Sequence, residues 1–237
     1  MVVKTQGIVL KTIKYQENHL IANVYTLAEG QKSFLIRGYF STRARRRHSY
    51  FQPLSVIDLV FFQKENQSLH KVNESRVAYL HQSIQSDPVK LSLGLTIVEV
   101  FYDTVKEENP NHELFHFLKE IILSLDQSEK NLVHIFIYFL VRLSAYLGFL
   151  PLDNSDASPK VWLDIPHGMI LPAKEKPSQA AFVIRQFLQT DLNGAQQIYF
   201  ERNVKREMIR SLFEYYRHHV TGFKYPQTLK VFAEIFQ

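Results

Sequence analysis

The 237-residue chain is 46% hydrophobic and 13% aromatic, long enough for one large or two ordinary domains and too apolar for global disorder. Its formal charge of +5 is uneven: residues 1–80 hold 12 Lys and Arg against 5 Asp and Glu, a net +7, while the rest hold 16 against 18, a net −2. The absence of cysteine excludes disulfides, thiolate catalysis and cysteine-ligated zinc. With no secretory h-region and no apolar run of bilayer length, it points to the cytoplasm.

The first 80 residues carry the signature of strands. Lys4–Lys14, Leu20–Leu27, Lys32–Arg37, Leu54–Phe62 and Ser68–Val77 are short, rich in Val, Ile, Phe and Tyr, and separated by polar breaks. Gly30 supplies a hairpin turn, and Gly7, inside the first strand, is expected to permit a bulge or coil where a small barrel closes. Five strands in so short a span suggest an OB-fold barrel.

Between the third and fourth strands lies Ser41-Thr42-Arg43-Ala44-Arg45-Arg46-Arg47-His48, flanked by Tyr39 and Phe40 and by Tyr50 and Phe51. Guanidinium groups attract phosphates and aromatic faces stack on unpaired bases, so the combination suggests a contact with single-stranded nucleic acid. A solvated loop flanked by core aromatics is the competing explanation.

From Asp87 onward the period becomes helical. Asp87-Pro88 opens a helix to about Lys106. A second carries Leu114, Phe117, Leu118, Ile121, Ile122 and Leu125 on one face. A third, from about Lys130 to Leu147, is apolar nearly all round, marking it as central, and ends at Gly148. A proline-punctuated excursion at 151–177 contains a short strand, Val161–Ile165. Helices then follow from Ser178 to about Thr190, over Asn203–Val220 and over Thr228–Phe236. The expected fold class is α+β: a five-stranded OB-fold barrel over 1–80, basic and nucleic-acid binding, and a helical domain over 81–237 with the excursion inside it.

No constellation amounts to an active site. His112-Glu113-Leu114-Phe115-His116 fits the zincin spacing, but it occupies the first turn of a helix. Lys119 stands where the extended pattern wants glycine, and no third ligand is evident. His218 and His219 are adjacent on a helix, about 100° apart, and better suited to complementing the C-terminal dipole than to chelation. Neither a phosphate-binding glycine loop nor a Gly-x-Ser-x-Gly elbow occurs. The chain is expected to be no enzyme and to hold no metal or cofactor.

Several segments, taken together and in order, resemble the RecO family of bacterial recombination mediators. They are Gly7-Ile8-Val9-Leu10-Lys11, Glu17 to Thr26, Ser33-Phe34-Leu35-Ile36-Arg37-Gly38, Phe51-Gln52-Pro53-Leu54, Tyr146-Leu147-Gly148-Phe149-Leu150-Pro151 and Leu212 to His219 with Gly222-Phe223. The resemblance implies binding of single- and double-stranded DNA, annealing of complementary strands and help in loading RecA onto DNA coated with single-strand-binding protein. It also implies RecR and the acidic C-terminal tail of single-strand-binding protein as partners, and a cytoplasmic, nucleoid-associated location. Many members carry a four-cysteine zinc motif after the mid-chain helix; Leu152–Lys176 has no cysteine here.

On this basis Arg43, Arg45, Arg46 and Arg47 are expected to neutralise phosphates. Arg37, Lys32, Lys11 and Lys14 are expected to extend the basic surface, and Tyr39, Phe40 or Tyr50 to stack on bases. Arg142 or Lys119 is the candidate for an acidic partner tail, against the alternative of an arginine that merely lays its stem along apolar surface. Two other functions fit the residues: a protein-interaction scaffold with secondary nucleic-acid binding, and an RNA-binding OB module, since phosphate contacts do not distinguish the sugar.

Overall fold

The computed structural model describes residues 1–40, 50–63, 67–106 and 109–228. Its first strands are β1 (Val2–Tyr15), β2 (His19–Thr26), β3 (Gly30–Ile36), β4 (Val56–Phe62) and β5 (Leu69–Tyr79). They form a closed barrel in the order β1-β2-β3-β5-β4. All pairs are antiparallel except β3 with β5, where Ser33, Phe34 and Leu35 run parallel to Leu69, His70 and Lys71. This is the five-stranded OB-fold.

Closure depends on β1, whose N-terminal half pairs with β4 and whose C-terminal half pairs with β2, Gly7 and Ile8 being shared by both. The bulge lies between Val9 and Lys11, not at the expected Gly7. The slip accounts for three successive buried side chains, Ile8, Val9 and Leu10, in a strand that should alternate. Gly7 answers to a different demand: a Cβ there would come within 2.5 Å of Val24 Cγ1 and 3.3 Å of Leu59 Cδ1. The strands approach too closely for a side chain. Gly30 does take the left-handed conformation, with φ of 65°, at the β2–β3 turn.

Packing divides the chain into two compact units. The first comprises Met1–Gln127 and takes in Thr228; the second is Ser128–Gln227. This boundary differs from the change of period near residue 80, because α1 (Pro88–Thr104) and α2 (His112–Gln127) cluster with the barrel. Asp87 caps α1, accepting from the Val89 and Lys90 amides at 2.8 and 3.1 Å. Tyr25 of β2 is fully buried, edge-on to Phe101 at 4.9 Å and stacked with Phe115 at 6.4 Å, so one aromatic joins barrel to both helices. Thr228 returns to α1 through its hydroxyl, 2.7 Å from Glu99 Oε2. The rest of the expected terminal helix lies outside the described residues.

In the second unit α3 (Leu132–Tyr146) contacts the unit's other helices, α4 (Gln179–Leu188), α5 (Leu192–Ala195) and α6 (Arg202–His219), which explains its apolar circumference. It ends in a Schellman turn: the Phe149 amide reaches the Ser144 carbonyl at 2.9 Å, and Gly148 sits at φ of 82°. Tyr216 of α6 is wholly buried and donates to the Leu140 carbonyl at 2.7 Å.

The excursion contains β6 (Leu152–Asp153), β7 (Val161–Asp164) and β8 (Met169–Pro172) in a three-stranded sheet of order β6-β8-β7. Only β7 was evident from the sequence. The loop before β7 is held by Arg185, whose guanidinium donates at 2.8 Å to both Ser155 Oγ and the Ser158 carbonyl. Among the described residues no helix is long and apolar enough to cross a membrane.

Candidate nucleic-acid interface

The candidate interface lies where β3 and β5 run side by side and the chain leaves the barrel. A groove of about 190 Å³ is lined there by Leu35, Ile36, Arg37, Phe51, Lys71, Val72, Asn73 and Ser75. The register that pairs Leu35 with Lys71 puts two exposed cations, Arg37 and Lys71, on this groove. Lys71 escaped the sequence-based selection. Its signal was a basic residue in a strand otherwise bordered by buried His70, but the parallel pairing that gives it a neighbour cannot be read from one strand.

The four arginines of residues 43–47 lie outside the described residues; both flanks of that segment are described. Phe51 is fully buried and forms part of the groove wall. The Tyr50 hydroxyl is 2.9 Å from the Ser75 carbonyl and 3.0 Å from Ser75 Oγ, so this ring is fixed against β5. Tyr39 is half-buried against the barrel core, and burial pushes its hydroxyl pKa up. Phe40 stands edge-on to Tyr39 at 4.9 Å and remains 44% exposed. Of the flanking aromatics Phe40 is the most exposed, and the Lys14 ammonium lies over its ring, 5.4 Å from the centroid. The pairings Lys14 with Leu20 and Leu20 with Ile36 bring this end of β1 to the end of β3, next to Arg37.

The remaining predicted cations lie elsewhere. Lys11 rests 5.1 Å above the ring of Tyr102 on α1, where Lys106 also sits, at 5.3 Å. Lys32 shares the inward parity of Phe34 and Ile36 in β3, and its charge acts on buried His70. Lys119 on α2 donates to Gln6 Oε1 at 2.9 Å. Arg142, in the second unit, lies 5.8 Å from the Tyr138 ring on its own helix. The structure thus brings Arg37, Lys14, Tyr39 and Tyr50 to the flanks of the basic segment and places Lys11 and Lys32 apart from them.

The histidine patterns have structural settings. His112, Glu113 and His116 are exposed on the first turns of α2, and no group of three or more potential metal ligands occurs among the described residues. His219 stacks on Phe149 at 5.4 Å with a 7° interplanar angle, and its Nε2 is 2.8 Å from the Ile165 carbonyl. It sits in the last turn of α6, where the sequence placed it, and also links that helix to the excursion.

Comparison with known families is decisive on ancestry. The family profile described as Recombination protein O N terminal matches residues 1–80, and Recombination protein O C terminal matches residues 85–228. The chain belongs to the RecO family. Its relatives named DNA repair protein RecO include those of Flavobacterium psychrophilum, 27% identical over 240 residues, and Bacteroides fragilis, 29% identical over 244 residues. That of Christiangramia forsetii is 27% identical over 241 residues. Each alignment spans the whole of both chains. The RecO profile boundary falls close to residue 80, where the barrel ends.

Proposed function

We propose that this chain is a non-enzymatic recombination mediator in DNA repair. It binds single- and double-stranded DNA, anneals complementary strands and helps load RecA onto DNA coated with single-strand-binding protein. The carrying observation is the OB barrel whose β3–β5 groove combines Arg37 and Lys71 with the aromatic flanks of the arginine segment, in a chain of the RecO family.

The physical division of labour follows from the residue types. Arg43, Arg45, Arg46 and Arg47, with Arg37, Lys71 and Lys14, supply charge that grips phosphates without distinguishing bases. Phe40, with Tyr39 and Tyr50 holding the flanks in place, supplies a face on which any base stacks. Such a surface holds a strand without sequence preference, as annealing requires. Lys11 and Lys32 make smaller contributions, in keeping with their positions over Tyr102 and beside His70. RecR and the acidic tail of single-strand-binding protein are the protein partners, with Arg142 or Lys119 meeting the tail carboxylates, and the site of action is the cytoplasmic nucleoid.

Salt dependence of binding to a short single-stranded oligonucleotide tests the DNA assignment. Replacing Arg43, Arg45, Arg46 and Arg47 with alanine should flatten the log–log slope by about 0.7 per lost contact. Arg37→Ala with Lys71→Ala should flatten it further by about 1.4 if both touch phosphate. An unchanged slope in both variants removes the groove from the interface. Tighter binding of RNA than of DNA of equal length would favour the RNA-binding alternative.

A further inference from the structure

A second concentration of positive charge lies on α6, in the unit that holds none of the groove residues. Helical geometry at 100° per residue sets Arg202, Arg206, Arg210 and Arg217 within an arc of about 80° along a line of about 22 Å. All four are exposed, while Val204, Met208, Leu212, Phe213, Tyr215 and Tyr216 are buried. The helix holds five Lys and Arg against two acids, and both acids are engaged. Glu207 accepts from the Ser178 hydroxyl at 2.9 Å. Glu214 pairs with Arg217 at 2.5 Å and also accepts from the Tyr225 hydroxyl. Arg206 and Arg210 have no carboxylate within ion-pair range among the described residues.

This arrangement is electrostatically costly in the free protein. Like charges one helical turn apart repel. Lys205, beside them, has its pKa lowered, first by burial and then by repulsion from Arg202 and Arg206. A polyanion laid along the stripe relieves that repulsion. An open cavity of about 460 Å³ lies at the stripe's beginning, lined by Glu201, Arg202, Asn203 and Arg206. All four lining residues carry polar or charged groups, which suit phosphate and sugar. Glu201, the single acid there, opposes an anion and limits how close a phosphate comes. Tyr199, 86% exposed, stands two residues before Glu201 and offers an open ring for a base.

We propose that the Arg202–Arg206–Arg210 face of α6 is a second contact for a DNA backbone, giving a single chain two separate grips, one in each unit. The proposal rests on the DNA-binding reading of the barrel and extends it: two grips let one chain hold two strands at once.

The test tethers oligothymidine to a surface, saturates it with full-length protein and measures capture of a second, labelled oligothymidine, which cannot pair with the first. Wild type should capture it. Arg202→Ala with Arg206→Ala and Arg210→Ala should still bind the tethered strand but lose capture by about tenfold, and flatten the salt slope by about 2. The same positions changed to lysine should retain capture, because backbone neutralisation asks for charge and not for the guanidinium fork. Unchanged capture in the alanine variant overturns the proposal, as does loss of capture in the lysine variant. Weakened binding of an acidic peptide with undiminished capture of DNA overturns it too. Wild type that binds the tethered strand but captures no second one overturns this proposal alone; wild type that binds no oligothymidine overturns the barrel reading with it. Unchanged far-ultraviolet dichroism and thermal midpoint confirm that the variants, all at exposed positions, keep their fold.

Discussion

Asp126 shows how single residues hold the first unit together. Its buried carboxylate accepts from the Gln82, Ser83 and Ile84 amides at 2.8, 2.9 and 2.7 Å and from the Tyr79 hydroxyl at 2.9 Å. The Lys90 ammonium donates to the Asp126 carbonyl at 2.8 Å. Burial pushes the carboxyl pKa up, but these hydrogen bonds outweigh it and hold the pKa down, from 3.8 to about 2. A depressed carboxylate contributes stability above its unfolded pKa, lost as pH falls through the folded one, so this contribution should disappear between 3.8 and about 2. Asp126→Asn sets an amide NH₂ against amide donors and should cost about 2–4 kcal/mol in urea unfolding at neutral pH. Histidines act in a higher window. Burial lowers the pKa of His70, helped by the Lys32 charge, and burial likewise lowers that of His134. The unfolded chain therefore binds more protons, and stability falls as pH drops below 6.5 toward the folded values. Replacing both with glutamine should flatten unfolding free energy against pH between about 7 and 5; an unaltered slope contradicts the burial argument.

At the scale of elements, β1 carries the barrel, and Gly7 is its most constrained position. Gly7→Ala forces a methyl into the space of Val24 Cγ1, a stiff β-branched side chain, and should destabilise by about 1–3 kcal/mol. On α6, Tyr216→Phe removes a second hydrogen bond from the Leu140 carbonyl, which keeps its partner within α3, and should cost about 0.5–1.5 kcal/mol, read as a shift in urea midpoint at constant m. Five strands and the longer helices were legible because their residues repeat with periods of 2 or 3.6. Asp87-Pro88 and Gly148 marked two helix ends by side-chain chemistry that acts within a single turn. The bulge before Lys11 was not legible, since it arises from the pairing of β1 with two different neighbours. β6, β8 and α5 are two to four residues long, too short to show any period. The link from α1 and α2 to the barrel was hidden as well: Tyr25 reads as one more strand aromatic until Phe101 and Phe115 are placed beside it.

For the whole molecule, the uneven charge reflects a basic barrel. How that charge is used depends on tertiary neighbours. Lys11 and Lys14 are three residues apart in one strand, yet one faces Tyr102 and the other Phe40. Arg37 was evident from composition, whereas Lys71 became its companion only through the parallel β3–β5 pair. The α6 arginines were visible in the sequence as spacings of four, four and seven, but near-neutral net charge over residues 81–237 concealed them. Whether this molecule brings complementary DNA strands together is read by mixing it with complementary oligonucleotides coated with single-strand-binding protein. Duplex should form without nucleotide hydrolysis and faster than in the protein-free control. The rate should fall in the variant lacking the arginines at 43, 45, 46 and 47 and in the variant lacking those at 202, 206 and 210. Annealing no faster than the control with wild-type protein that binds DNA would contradict the proposed function.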